Sequence, residues 1–139
     1  MNYKKDGSVY GVRLSAGEDI VKAMTELCRR ENIVCAQVSG IGAVSRATVG
    51  FYDLAKGEYK PKTFDEPMEM VSLLGNMTRK DGEPYIHLHA SFSNEKCEVV
   101  GGHLTEAIIG VTAEIFVNTL PNAVERRVDS EIGINIFDI

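Results

Sequence analysis

"YIHLHASFSNEKCEVVGGHL", Tyr85 to Leu104, decides how this chain is read. Two apolar, β-branched segments flank the polar stretch "SNEKC", the pattern of two strands joined by a hairpin. All three histidines of the 139-residue chain, His87, His89 and His103, fall in these two segments. Residues i and i+2 of a strand share a face, so His87 and His89 project together. A turn centred on Glu95 sets His87 opposite His103 and His89 opposite Gly101, with facing Cβ atoms ~5 Å apart. Gly101 then leaves clearance beside His89. A slip of one residue would turn His103 to the other face.

Three neutral imidazoles on one face suit a borderline-soft divalent ion. Zinc is the first expectation and another divalent transition metal the second. Three protein ligands leave one coordination position open, as catalytic and ligand-binding sites do and closed structural sites do not. A water there would be acidified to a pKa of ~7. The competing reading is that His87 and His89 line a polar crevice and His103 hydrogen-bonds locally. Glu114, in "VTAEIFV", and Arg13, between apolar residues of the first strand, are the ionisable residues that would serve such a site. Glu114 would be a fourth ligand, an orienting carboxylate or a base, and its alternative is an exposed strand glutamate outside the site. Arg13 would bind an anionic ligand or pair with a carboxylate.

Outward from the hairpin, strands dominate. "SVYGVRL" (Ser8–Leu14) alternates as a strand does. Ile20, Val21, Met24, Leu27 and Cys28 then repeat at helical spacing and predict one long helix over about Glu18–Glu31. Glu18 and Asp19 in its first turn and Arg29 and Arg30 in its last suit the helix dipole, and Asn32 marks the stop. "IVCAQVSGIGAVSRATVGFYDL", "GEYKPKTF", "PMEMVSLLGNMTR" and "EAIIGVTAEIFVNTL" read as further strands, as does the tail "AVERRVDSEIGINIFDI". "KDGE" is a turn signal before the histidine strand. Glycines in "SGIGA" indicate a bulge or a close backbone approach. The segment does not match a phosphate-binding loop. Strands in succession with one helix predict an α+β fold, a mainly antiparallel sheet with the helix packed against it, in a single domain over residues 1–139.

Composition narrows the function classes. A net charge of −5 gives no basic face for nucleic acid. The densest basic clusters, "CRREN" and "VERRV", are flanked by glutamate and read as solvated surface. No apolar run is long enough to span a membrane, and the N-terminus lacks the apolar stretch of a secretory signal, so a cytoplasmic protein is expected. Three cysteines without C-x-x-C spacing argue against a disulfide framework or a thiolate zinc site. No G-x-S-x-G or H-E-x-x-H motif is present.

"VSGIGAVSRATVGFYD" (Val38–Asp53), "MEMVSLLGNM" (Met68–Met77) and "IHLHASFSNEKCEVVGGHLTEAIIGVTAEIFV" (Ile86–Val117) occur in this order. Together with "RLSAGEDIVKAM" (Arg13–Met24) they resemble the plants-and-prokaryotes-conserved (PPC) domain. That domain stands alone in bacteria and archaea and also forms the globular part of plant AT-hook proteins. The resemblance runs from about Val9 to Phe137, and H-x-H followed by G-G-H-L is its most specific part. It implies the α+β fold, a homotrimer, and a metal, zinc first, at His87, His89 and His103. It marks Gly40, Gly42, Gly101 and Gly102 as backbone-geometry positions. Such a protein would bind or act on a small molecule through the open position, and the residues do not say whether catalysis occurs. The alternative is a DNA-associated regulator. The R-G-R-P core of an AT-hook is absent, and Pro67 and Met68 stand where the plant proteins have Arg and Phe.

Overall fold

The computed structural model describes residues 1–139. Nine strands and one helix follow one another as β1 (Asn2–Asp6), β2 (Val9–Ser15), α1 (Ile20–Arg30), β3 (Ala36–Asp53), β4 (Glu58–Phe64), β5 (Met68–Lys80), β6 (Glu83–Ser93), β7 (Val99–Thr119), β8 (Arg126–Val128) and β9 (Asn135–Phe137). The mainly antiparallel α+β architecture expected from the residues is the one observed. β1, a largely exposed strand with no alternating apolar pattern, is the element the residues do not announce.

The helix is shorter than its periodicity suggests. Asp19 is the N-cap, and its side chain accepts from the Val21 and Lys22 amides. Glu18 lies outside the helix, where it takes the Ser15 amide at 2.7 Å and the N-terminal ammonium. Asn32, at φ 50°, ends the helix as expected. The Ile33 amide reaches the Cys28 carbonyl at 2.9 Å and the Asn32 amide that of Arg29 at 3.3 Å. These two bonds satisfy carbonyls that the helix end would otherwise leave open.

β3 and β7 organise the sheet because each is long enough to serve several neighbours. The first half of β3 pairs with β5, its second half with β4, and β7 runs along most of its length. β6 pairs with β5 on one side and β7 on the other. The strand order β1-β2-β7-β6-β5-β3-β4 therefore closes through β7–β3, and β3, β5, β6 and β7 form a ring. Closure leaves fewer open sheet edges. It also brings backbones unusually close. The β3–β5 register shifts between Gly40 and Gly42, the bulge that "SGIGA" suggested. A Cβ at Gly42 would sit 2.5 Å from the Thr112 carbonyl oxygen, and one at Gly75 would sit 2.0 Å from that of His87.

One face of the sheet and α1 enclose the core. Val12, Val38, Leu73, Leu88, Phe92 and Ile115 meet Ile20, Met24 and Leu27 there, all buried. Each such side chain contributes ~1.5–3 kcal/mol. Cys28 and Cys35 are buried free thiols, as expected of cysteines among apolar neighbours, and Cys97 is exposed. The opposite face carries the histidines. No helix is long and apolar enough to cross a membrane.

Candidate metal centre

Alternation along β6 buries Leu88, Ala90 and Phe92 in the core and turns Tyr85, His87 and His89 outward. The turn before β6 has the form that "KDGE" suggested. Lys80 pairs with Glu83, and Asp81 and Gly82 between them have φ of 53° and 80°. Two positive φ values match the twist of the flanking strands.

The turn after β6 differs from the expected register. His89, not His87, pairs with His103, and Gly101 pairs with Ser91, not His89. The Asn94 side chain accepts the Lys96 and Glu98 amides, each at 3.0 Å, and Cys97 adopts φ 60°. These contacts stretch the loop over residues 94–98, so the hairpin centres on Lys96. The shift moves every pairing by two positions and preserves the face, so the three imidazoles still converge. Gly101 serves the strand crossing rather than the histidines, since a Cβ there would meet the Ala90 carbonyl oxygen at 2.5 Å.

The ring centroids form a near-equilateral triangle with sides of 5.1 Å (His87–His103), 5.3 Å (His87–His89) and 5.5 Å (His89–His103). One nitrogen from each ring lies within 4.8 Å of the others. A tetrahedral zinc with bonds of ~2.0–2.1 Å holds its nitrogens about 3.3 Å apart, so small ring rotations close the set. Burial, the neighbouring His103, Arg126 and His89 push the His87 pKa down to about 4. Burial and then His89 lower that of His103. Both rings are thus held neutral, the form that ligates a metal. Nδ1 of His103 is buried with no hydrogen-bond partner. A buried imidazole nitrogen is normally paired, so the orphan, the neutral rings and their spacing all fit a divalent ion. His87, His89 and His103 would hold it, and it would supply Lewis acidity at its remaining position.

Aromatic and amide groups border the triangle. Gly50 of β3 lies opposite His103 and leaves room for Tyr59, whose ring stands 4.9 Å from the His103 imidazole. Burial raises the Tyr59 phenol pKa. Asn76 of β5 lies opposite His87, and Thr78 opposite Tyr85.

Arg126 corrects the reading of "VERRV" as solvated surface. β8 pairs with β9, and Arg126 is only 7% exposed, whereas Arg127 is exposed. Nε donates to Thr78 Oγ1 at 2.8 Å, Nη2 to Asn76 Oδ1 at 2.7 Å, and Nη1 to the Asn135 carbonyl at 3.1 Å. The guanidinium lies 4.5 Å from the Tyr85 ring and 4.7 Å from that of Phe137. Burial lowers its pKa. Nothing within "VERRV" separates Arg126 from Arg127. The β8–β9 pairing decides which one turns inward.

Glu114 and Arg13 do not join the histidines. They pair with each other across β2 and β7, and Glu114 also faces Ile41 of β3. Glu114 lies about 35 Å along extended strand from His103. The glycines behave as close-approach positions. Built Cβ atoms would meet neighbouring backbone at 2.9 Å for Gly40 and 2.7 Å for Gly102, as at Gly42 and Gly101.

Fold and site define a class: a small α+β domain whose closed sheet presents three histidines, spaced for a divalent ion, on the face away from its helix. The chain belongs to the Plants and Prokaryotes Conserved (PCC) domain family, whose profile matches residues 1–121. Among solved structures, a candidate DNA-binding protein from Bacteroides thetaiotaomicron is 32% identical, with 99% of this chain and 96% of that one covered and a TM-score of 0.96. A metal-containing protein from Archaeoglobus fulgidus is 36% identical, with 99% and 98% covered and a TM-score of 0.88. A plant- and prokaryote-conserved protein from Pyrococcus horikoshii is 32% identical, with 99% and 94% covered and a TM-score of 0.88. No curated protein matches the chain.

Proposed function

We propose that this protein binds one divalent transition metal, zinc first, through His87, His89 and His103, and uses the remaining coordination position to bind a small molecule. The observation that carries the reading is the buried, unpartnered Nδ1 of His103, on one of three imidazoles whose ligand nitrogens lie within 4.8 Å of one another. The similarity to a metal-containing archaeal protein supports it. The working form is a homotrimer in the cytoplasm. Ile41 and Phe116, 58% and 61% exposed on the outer face of β3 and β7, support assembly through that face. Exposed apolar patches of this kind commonly mark interfaces.

Calorimetric titration of zinc into the chelated protein tests the metal reading. Saturation near one ion per chain, with a rise in unfolding temperature, is expected. Absence of both heat and stabilisation would refute it. A DNA-associated role is the second reading, favoured by the similarity to a candidate DNA-binding protein. The net charge of −5 weighs against it. Duplex retardation that weakens as salt rises would support that role. No retardation at micromolar protein would remove it.

A further inference from the structure

Arg126 is the one buried charged residue in the chain. None of the ion pairs includes it. A buried cation with no counter-charge is costly, and proteins normally pair it. Its three hydrogen bonds go to a hydroxyl, an amide oxygen and a carbonyl, all uncharged. A guanidinium has five N–H donors. One N–H therefore remains on each terminal nitrogen.

Its position ties it to the histidines. The acceptor of Nη2, Asn76, is the residue directly across from His87. Tyr85, against which the guanidinium lies, precedes His87 by two residues on the same strand face. Facing residues stand ~5 Å apart and same-face neighbours ~7 Å apart. Asn76 ties the cation to the strand position facing His87, while the Tyr85 and Phe137 rings lie over the guanidinium.

We propose that Arg126 is the anion-binding residue of this site, and that its ligand is a small carboxylic acid carrying a second oxygen donor at the histidine end. The inference rests on the metal reading above. Two N–H groups on a planar, always-charged fork match the two oxygens of one carboxylate. The one uncompensated positive charge is matched by the single negative charge of a carboxylate rather than by a phosphate dianion. The ligand's carboxylate supplies the missing counter-charge, and its other oxygen lies toward His87 and His103. Arg126 also fastens the β8–β9 hairpin to β5, so completing the site and anchoring the chain's last elements fall to the same side chain.

The test uses cobalt-loaded protein, whose visible spectrum reports ligands entering the histidine site, with succinate and the monocarboxylate butyrate as probes. Succinate is expected to change the spectrum saturably. Butyrate, which has one carboxylate and no second oxygen donor, cannot engage Arg126 and the histidine end together and is expected to bind at least about 10-fold more weakly. Equal affinity for the two, within the statistical factor of about two, overturns the proposal. Arg126→Met is expected to keep its cobalt and its ligand-free spectrum and to lose at least about 10-fold in succinate affinity. Unchanged succinate affinity in that variant overturns the proposal as well. Should Arg126→Met fail to fold, the succinate–butyrate pair on the unmodified protein still decides. Cobalt uptake with no response to about 10 mM succinate overturns this inference alone. A protein that takes up no cobalt overturns the metal reading and this inference with it.

Discussion

At the scale of single residues, burial favours the neutral form of His87 and His103. His87 sits mainly under a burial penalty, with His103, Arg126 and His89 adding to it. A histidine whose pKa is lower folded than unfolded takes up its proton more readily in the unfolded chain. Metal-free protein should therefore be most stable above the ordinary value of 6.5 and lose stability as pH falls toward about 4. Thermal unfolding of chelated protein between those limits checks this, and His87→Gln should flatten the dependence. An equally steep dependence in that variant would place its source elsewhere. The histidines were legible in the sequence because face depends only on parity. Centring the loop on Lys96 instead of Glu95 changed every partner and left the rings together. Arg126 was not legible, because its burial comes from a three-residue strand whose partner lies about ten residues on.

At the scale of elements, the two faces of the sheet separate the apolar core from the three histidines. Asp19 caps α1 on the core side, remote from the histidines. Asp19→Ala should cost ~1 kcal/mol and leave zinc affinity unchanged, as read by chemical denaturation and calorimetry. Gly75 is different, because its missing side chain lets β5 lie against the His87 carbonyl. Gly75→Ala should cost about 3 kcal/mol or more and weaken zinc binding together with stability, since β6 must move. A Gly75→Ala protein with native zinc affinity would show that the strand crossing does not position His87. The periodicity of α1 and the alternation of β2 and β6 exposed these elements in the sequence, as local patterns do. Ring closure through β7–β3 was hidden, because it joins residues far apart in the chain and no local pattern records such pairing.

At the scale of the whole molecule, the outer face runs from the histidines to an apolar expanse. Leu74 lies opposite His89 on one side and Ser39 on the other, and Ser39 also faces Phe116. Leu74, Ile41 and Phe116 are all exposed in the single chain. The homotrimer proposed above would cover them. Phe116→Glu should shift the sedimentation coefficient of a trimer to that of a monomer without unfolding the chain, because the residue faces away from the core. A variant that stays trimeric would move the interface elsewhere. Glu114 and Arg13, which do not meet the histidines of their own chain, lie on this same expanse.

The central claim is that three histidines hold a metal. The metal content of protein purified without added metal tests it most directly, with His87→Ala and His103→Ala prepared alongside. The account predicts about one transition-metal ion per chain in the unmodified protein and near-complete loss in either variant. Less than about 0.2 ion per chain, with an unfolding temperature unmoved by chelator, would contradict it.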